Sequence, residues 1–132
     1  MRKITMALCL GALLAGEAVL AAERVYFIEP ADGATVKSPF KVRFGVEGMA
    51  IGPAGDMKPG TGHHHLIIDG SSAPQNEVIP TDDNHRHFGK GQTETELTLP
   101  TGEHTLTLQF ANGAHQSFGP AMSSSITVKI AP

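Results

Sequence analysis

Tryptophan is missing from this sequence, tyrosine occurs once, and the single cysteine lies at position 9, inside an apolar leader. Each scarcity excludes something. Once the leader is removed there is neither a disulfide nor a thiolate metal ligand, so the chain must hold together by an ordinary apolar core. The Cys-Trp-Cys hallmark of antibody-type immunoglobulin domains is ruled out as well. No stretch after the leader is apolar for the roughly 20 residues that a membrane-spanning helix needs. Ten basic residues against thirteen acidic ones leave no basic excess for nucleic acid. Nor does the sequence carry Gly-x-Ser-x-Gly for a serine nucleophile or His-Glu-x-x-His for a metalloprotease, and the Gly-rich stretch 52–61 lacks the Gly-Lys-Ser/Thr ending of a phosphate loop.

What is present begins with the leader. Arg2 and Lys3 precede an apolar run from Ile4 to Leu14, and Val19-Leu20-Ala21-Ala22 offers small residues for cleavage after Ala21 or Ala22. This is the order of a secretory signal peptide, expected over residues 1–22. A lipoprotein would want a small residue before Cys9, and Leu8 stands there. Cleavage removes Arg2, Lys3 and Glu17, leaving eight basic and twelve acidic residues and a formal charge of −4. The remaining residues, 23–132, are expected to form one domain, monomeric and periplasmic or secreted.

That domain reads as short strands. Phe40, Val42, Phe44 and Val46 alternate with Lys41, Arg43, Gly45 and Glu47, the pattern of a strand with one face buried. The same period of two recurs at Thr95, Leu97 and Leu99, at Leu106, Leu108 and Phe110, and at Ile126, Val128 and Ile130. Pro30-Ala31-Asp32-Gly33, Pro100-Thr101-Gly102 and Asn112-Gly113 are turn signals. No segment shows helical spacing. About seven strands with frequent turns predict an all-β fold, an antiparallel β-sandwich of immunoglobulin-like plan.

Two stretches break the rhythm: 48–62, rich in Gly and Pro, and 70–92, long and polar. Long loops in compact domains are usually functional or disordered. These two flank Gly62-His63-His64-His65-Leu66-Ile67-Ile68-Asp69, in which three histidines enter an apolar strand. On a strand His63 and His65 share one face, while His64 goes with Leu66 and Ile68. Asn84-His85-Arg86-His87-Phe88 repeats the pattern, placing His85 and His87 on one face. Two His-x-His pairs can supply four imidazole nitrogens, which suit tetragonal Cu(II) or tetrahedral Zn(II).

The candidate metal ligands are therefore His63, His65, His85 and His87, with His64 as an alternative, and the expected cofactor is a copper or zinc ion. His63 and His65 are expected to face His85 and His87 around one point. Met49, Met57 and Met122 are assigned to packing, although thioethers would favour Cu(I). His104, in step with Leu106 and Leu108, is assigned a structural role, as is His115 in the loop after Asn112-Gly113. The competing reading is a module whose histidines brace loops that meet an envelope protein partner, a glycan or a peptide, without metal.

Three motifs carry a resemblance: the run from Pro59 to Asp69, the run His85-Arg86-His87-Phe88-Gly89-Lys90-Gly91-Gln92-Thr93-Glu94, and Pro100-Thr101-Gly102-Glu103-His104-Thr105-Leu106. From about Tyr26 to Val128 the chain is similar to an uncharacterised family of short exported bacterial proteins, catalogued as a domain of unknown function. The resemblance implies a periplasmic, all-β, single-domain protein and names no ligand.

Overall fold

Nine strands and one 3-10 turn carry the described residues, 22–132 and the isolated Gly11, in a computed structural model of the chain. The strands are β1 (Arg24–Glu29), β2 (Thr35–Lys37), β3 (Phe40–Glu47), β4 (Ala50–Ile51), β5 (Thr61–Ile68), β6 (His85–His87), β7 (Glu94–Leu97), β8 (Gly102–Ala111) and β9 (Ser123–Ala131). There is no α-helix among the described residues, and no helix among them is long and apolar enough to cross a membrane. Apart from Gly11 and Ala22, the leader expected over residues 1–22 lies outside the described residues.

The strands make two sheets. In the first, β3 lies between β1 and β7, antiparallel to both. The second runs β2-β9-β8-β5-β4, with β6 also paired to β5. Phe40, Val42, Phe44 and Leu97 from the first sheet meet Leu66, Leu106, Leu108, Phe110, Ile126, Val128 and Ile130 from the second in one apolar cluster. Burying each such side chain contributes about 1.5–3 kcal/mol, which makes this cluster the main replacement for the missing disulfide.

The antiparallel expectation holds for the first sheet only. β2 runs parallel to β9, with Val36 opposite Ile130, and β4 runs parallel to β5, with Ala50 opposite Thr61. Parallel neighbours cannot be joined by a tight hairpin and need a longer connection that carries the chain back. The Gly- and Pro-rich residues 52–60 are that connection between β4 and β5.

The alternation on β8 also ends differently from the sequence pattern. Leu106, Leu108 and Phe110 are buried as expected, but so are their polar neighbours Thr107 and Gln109. Residues 70–80 fold back over the outer face of the second sheet and satisfy these groups. Gln109 Oε1 accepts from Ala73 N at 3.1 Å, and Gln109 Nε2 donates to Gly119 O at 2.9 Å. Thr107 Oγ1 donates to Gly70 O at 3.2 Å and lies 2.7 Å from Ser125 Oγ. Buried polar groups are stable when paired in this way.

Candidate metal centre

Strand β5 is buried from Gly62 to Ile68, on both faces. Its core face carries His64, Leu66 and Ile68, opposite Phe110, Leu108 and Leu106 of β8. The other face carries His63, His65 and Ile67. β6 pairs with β5 so that His87 lies opposite His65 and His85 opposite Ile67. This antiparallel register brings His87 beside the histidine face and carries His85 away from it. The hairpin after β8 returns at His115, because Ala111, at the end of β8, lies opposite His63.

Four imidazoles therefore gather at one end of β5. His63 Nε2 is 3.0 Å from His65 Nε2 and 3.1 Å from His115 Nδ1. One ligand atom from each of His63, His65 and His115 lies within 4.8 Å of the others. The His87 ring is 5.1 Å from that of His115, 6.0 Å from His65 and 6.2 Å from His63, and it is exposed. His85 does not join them. Its Nδ1 is paired with Asp82 Oδ1 at 2.8 Å, and it lines a separate cavity of about 320 Å³ with Ile67, Ser71, Pro74, Glu77 and Ile79. His64 does not join them either: it sits in the core between Phe44 and Phe110, with ring centroids at 4.8 and 5.0 Å.

His115 is the residue that sequence reasoning assigned elsewhere. The Asn112-Gly113 turn signal was legible, but the register that sets its loop over His63 was not. Asn112 organises the loop: its Oδ1 accepts from Ala114 N at 2.9 Å and Gln116 N at 3.0 Å, and its backbone carbonyl accepts from His115 N at 2.9 Å. His115 is held at φ 62°, a left-handed backbone that costs a non-glycine residue about 1–2 kcal/mol. Such strain persists only where the surroundings over-determine it. Here they do, because residues 52–60 are stitched across the site: Ala54 N donates to Gly89 O and Gly55 N to Gly113 O, both at 2.8 Å. A Cβ at Gly113 would strike the Asp56 backbone, so only glycine allows the two loops this approach.

The electrostatics follow from burial. His63 is pushed down to about 4, first by burial and then by the neighbouring His115 and His87. His65 is pushed down to about 3, again mainly by burial, with His63, His115, His87 and His64 adding to it. Burial, then His87, also lowers His115. At neutral pH these rings are uncharged, with a lone pair each, as a metal ligand requires.

A single ring nitrogen, His63 Nε2, has a neighbour at hydrogen-bond distance on both sides. It carries one proton or one lone pair, so it cannot serve both neighbours well. A cation resolves the conflict, since all three lone pairs can point at it. Two nitrogens bound at about 2.0–2.1 Å and at ordinary angles lie about 2.9–3.4 Å apart, and the two pairs that share His63 Nε2, at 3.0 and 3.1 Å, fall in that range. His63, His65 and His115 can hold a metal ion.

Two other histidines show the contrasting arrangement. His104 Nδ1 donates to Asp69 Oδ2 and its Nε2 to Pro100 O, both at 2.8 Å. The hydrogen bond to Asp69 raises its pKa above the ordinary value, with the Pro100 carbonyl helping. The bond to His85 holds the Asp82 carboxyl below its ordinary range.

Residues 42–131 match the family model described as Domain of unknown function (DUF4399). The chain belongs to that family. This bears out the resemblance read from the histidine motifs, and the DUF4399 match takes in β5, β6 and the His115 loop alike. No curated protein matches the chain. Among solved structures, the chain is similar to the endo-beta-1,4-mannanase from Thermotoga petrophila, at 20% identity and a TM-score of 0.54 over 89% of this chain. The chain spans 21% of that enzyme's length, and the likeness shows the fold alone.

Proposed function

We propose that this DUF4399 protein binds one transition-metal ion, copper first and zinc second, through His63, His65 and His115, with His87 at the open side. Its role is capture, storage or delivery rather than turnover. The observation that carries the reading is the convergence of three neutral imidazoles, the buried His63 and His65 and the half-buried His115, with His63 Nε2 at 3.0 and 3.1 Å from the ring nitrogens of the other two. An all-imidazole site suits copper and zinc, and for a given nitrogen site Cu(II) binds more tightly than Zn(II). A binding role is favoured over catalysis because the neighbouring cavity, with its carboxylate Glu77, is lined by none of the three ligands. The rest of the proposal is that residues 1–22 direct export to the periplasm, that residues 23–132 work as a monomeric domain, and that the two sheets follow an immunoglobulin-like sandwich plan.

Metal content of untagged protein tests this directly, together with thermal melts at pH 7.5 with and without Cu(II) or Zn(II). The expected result is a raised midpoint in wild type, lost in the His63→Ala, His65→Ala double variant and kept in His104→Ala. No shift in wild type with Cu(II), Zn(II) or Ag(I) would remove the metal reading.

A second reading has its own support. The bonds Ala54 N to Gly89 O and Gly55 N to Gly113 O close the loops over the cluster without any ion. On that reading the histidines brace a surface for an envelope protein, and the melt would be indifferent to metal.

A further inference from the structure

We propose that the His63–His65–His115 site selects a monovalent d10 cation, Cu(I) with Ag(I) as its stand-in, over divalent copper or zinc. The inference rests on the metal-binding reading above and specifies the charge of the ion.

His63 and His65 are fully buried. Among the described residues, none of the three has a hydrogen bond or ion pair with a carboxylate: their ring contacts are with one another. The carboxylates that do pair with histidine are elsewhere, Asp69 on His104 and Asp82 on His85. Asp56, on the covering loop, is exposed, and its Oδ1 accepts from Lys58 N at 3.0 Å. An ion in this site meets three neutral donors and no negative charge.

The far side of the rings points the same way. His63 Nδ1 and His65 Nδ1 are buried with no hydrogen-bond partner among the described residues. Imidazoles that ligate divalent metals almost always donate the outer N–H to a carboxylate, a carbonyl or water, which makes the ring more basic and spreads the metal's charge outward. Among the described residues no carboxylate or carbonyl takes that N–H from either buried ring.

Charge then decides between ions. The cost of taking an ion from water into a low-dielectric site rises with the square of its charge, so a dication costs about four times as much as a monocation of equal size. Three neutral imidazoles attract an ion in proportion to its charge, whereas the burial cost rises with the square of the charge, and no carboxylate on the rings supplies the difference. Cu(I) and Zn(II) share a filled d shell with no ligand-field preference and are similar in size, which makes them the fair pair for comparing charge, with Ag(I) as the air-stable monovalent check. Softness alone does not produce the preference, because the donors are imidazoles rather than thiolates.

The test uses the untagged protein from residue 23 onward, in a Met57→Leu background because Met57 is an exposed thioether that binds Ag(I) on its own account. Thermal melts are titrated with Ag(I), with Zn(II), and anaerobically with Cu(I). The expected result is half-saturation at a concentration at least about tenfold lower for Ag(I) and Cu(I) than for Zn(II), which is about 1.4 kcal/mol. The His63→Ala, His65→Ala double variant is expected to lose the Ag(I) shift. His87→Glu places a carboxylate on the open side of the cluster and is expected to narrow the gap by improving Zn(II) binding. Zn(II) binding as tightly as Ag(I) in the His87-containing protein would overturn the charge selection while leaving the metal site standing. A His87→Glu protein with an unchanged ratio would overturn it too. If no ion moves the melt, the metal reading fails and this inference with it.

Discussion

The histidines of this protein fall into two groups that differ in one respect, the presence of an acid. At one end of β5, His63, His65 and His115 face each other with no carboxylate partner among the described residues, and burial drives their pKa values down. At the other end His104 is clamped between Asp69 and Pro100 O, and its pKa rises. The side chain is the same and the difference is the partner. A paired histidine is a structural cation. A cluster of imidazoles that meet only one another is a set of converging neutral donors, which is why the metal reading belongs to one end of the strand and not to the other.

The sharpest way to break this comparison is pH. For a buried ring with a lowered pKa, the unfolded chain binds the proton more readily than the fold does. Stability is therefore fully present above about 6.5 and is lost as the pH falls toward the folded value. His64, held at about 4 mainly by burial in the core, would account for about 3 kcal/mol of that loss. Metal-free protein is expected to lose melting midpoint steeply between pH 6.5 and 4. His104 has the opposite sign: its contribution is present below about 6.5 and is lost as the pH rises through its raised value. A metal-free melting midpoint that stays flat from pH 7.5 to 4.5 would mean the cluster rings are not buried as described.

Next in size is the metal itself. At a hundredfold excess over its dissociation constant a bound ion stabilises the fold by about 2.7 kcal/mol. This gain should vanish in the His63→Ala, His65→Ala protein. His115→Ala should weaken binding by at least about tenfold while leaving His63 and His65 in place, and His85→Ala should not affect it. Calorimetric titration distinguishes them. An undisturbed affinity in His115→Ala together with a loss in His85→Ala would restore the four-histidine site that the sequence suggested.

The core face of β5 gives an effect of the opposite sign. Both ring nitrogens of His64 are buried without a partner among the described residues, a penalty of about 1–3 kcal/mol for each unsatisfied group. His64→Leu is expected to raise the metal-free melting midpoint and to soften the acid transition. A lower midpoint at pH 7.5 would show that His64 has a partner in solution. The smallest effect is at the acid-paired end: His104→Ala should cost about 1 kcal/mol in a denaturant melt and leave metal affinity as it was.

Much of the architecture was legible in the chain because strand alternation is local. Phe40, Val42 and Phe44, Leu106, Leu108 and Phe110, and Ile126, Val128 and Ile130 are buried as their period of two predicted. So was the division of the triple-histidine strand, since neighbouring side chains on a strand point to opposite faces whatever they pair with. The parallel pairings of β2 and β4 were not legible, nor was the burial of Thr107 and Gln109 under residues 70–80. Both depend on where distant segments return.

The candidate site divides along the same line. By itself the sequence determined that His63 and His65 share one face of the strand and that His64 takes the other, with His64 still open as a ligand. Only the tertiary structure decided their company. A register that pairs His65 with His87 sends His85 to Asp82, and a hairpin that places Ala111 opposite His63 delivers His115 from 52 residues away. Pairing register and hairpin placement are set by the burial of whole strand faces and by loop closure over a distance. No short stretch of residues encodes them, so the third ligand appears only when the chain is folded.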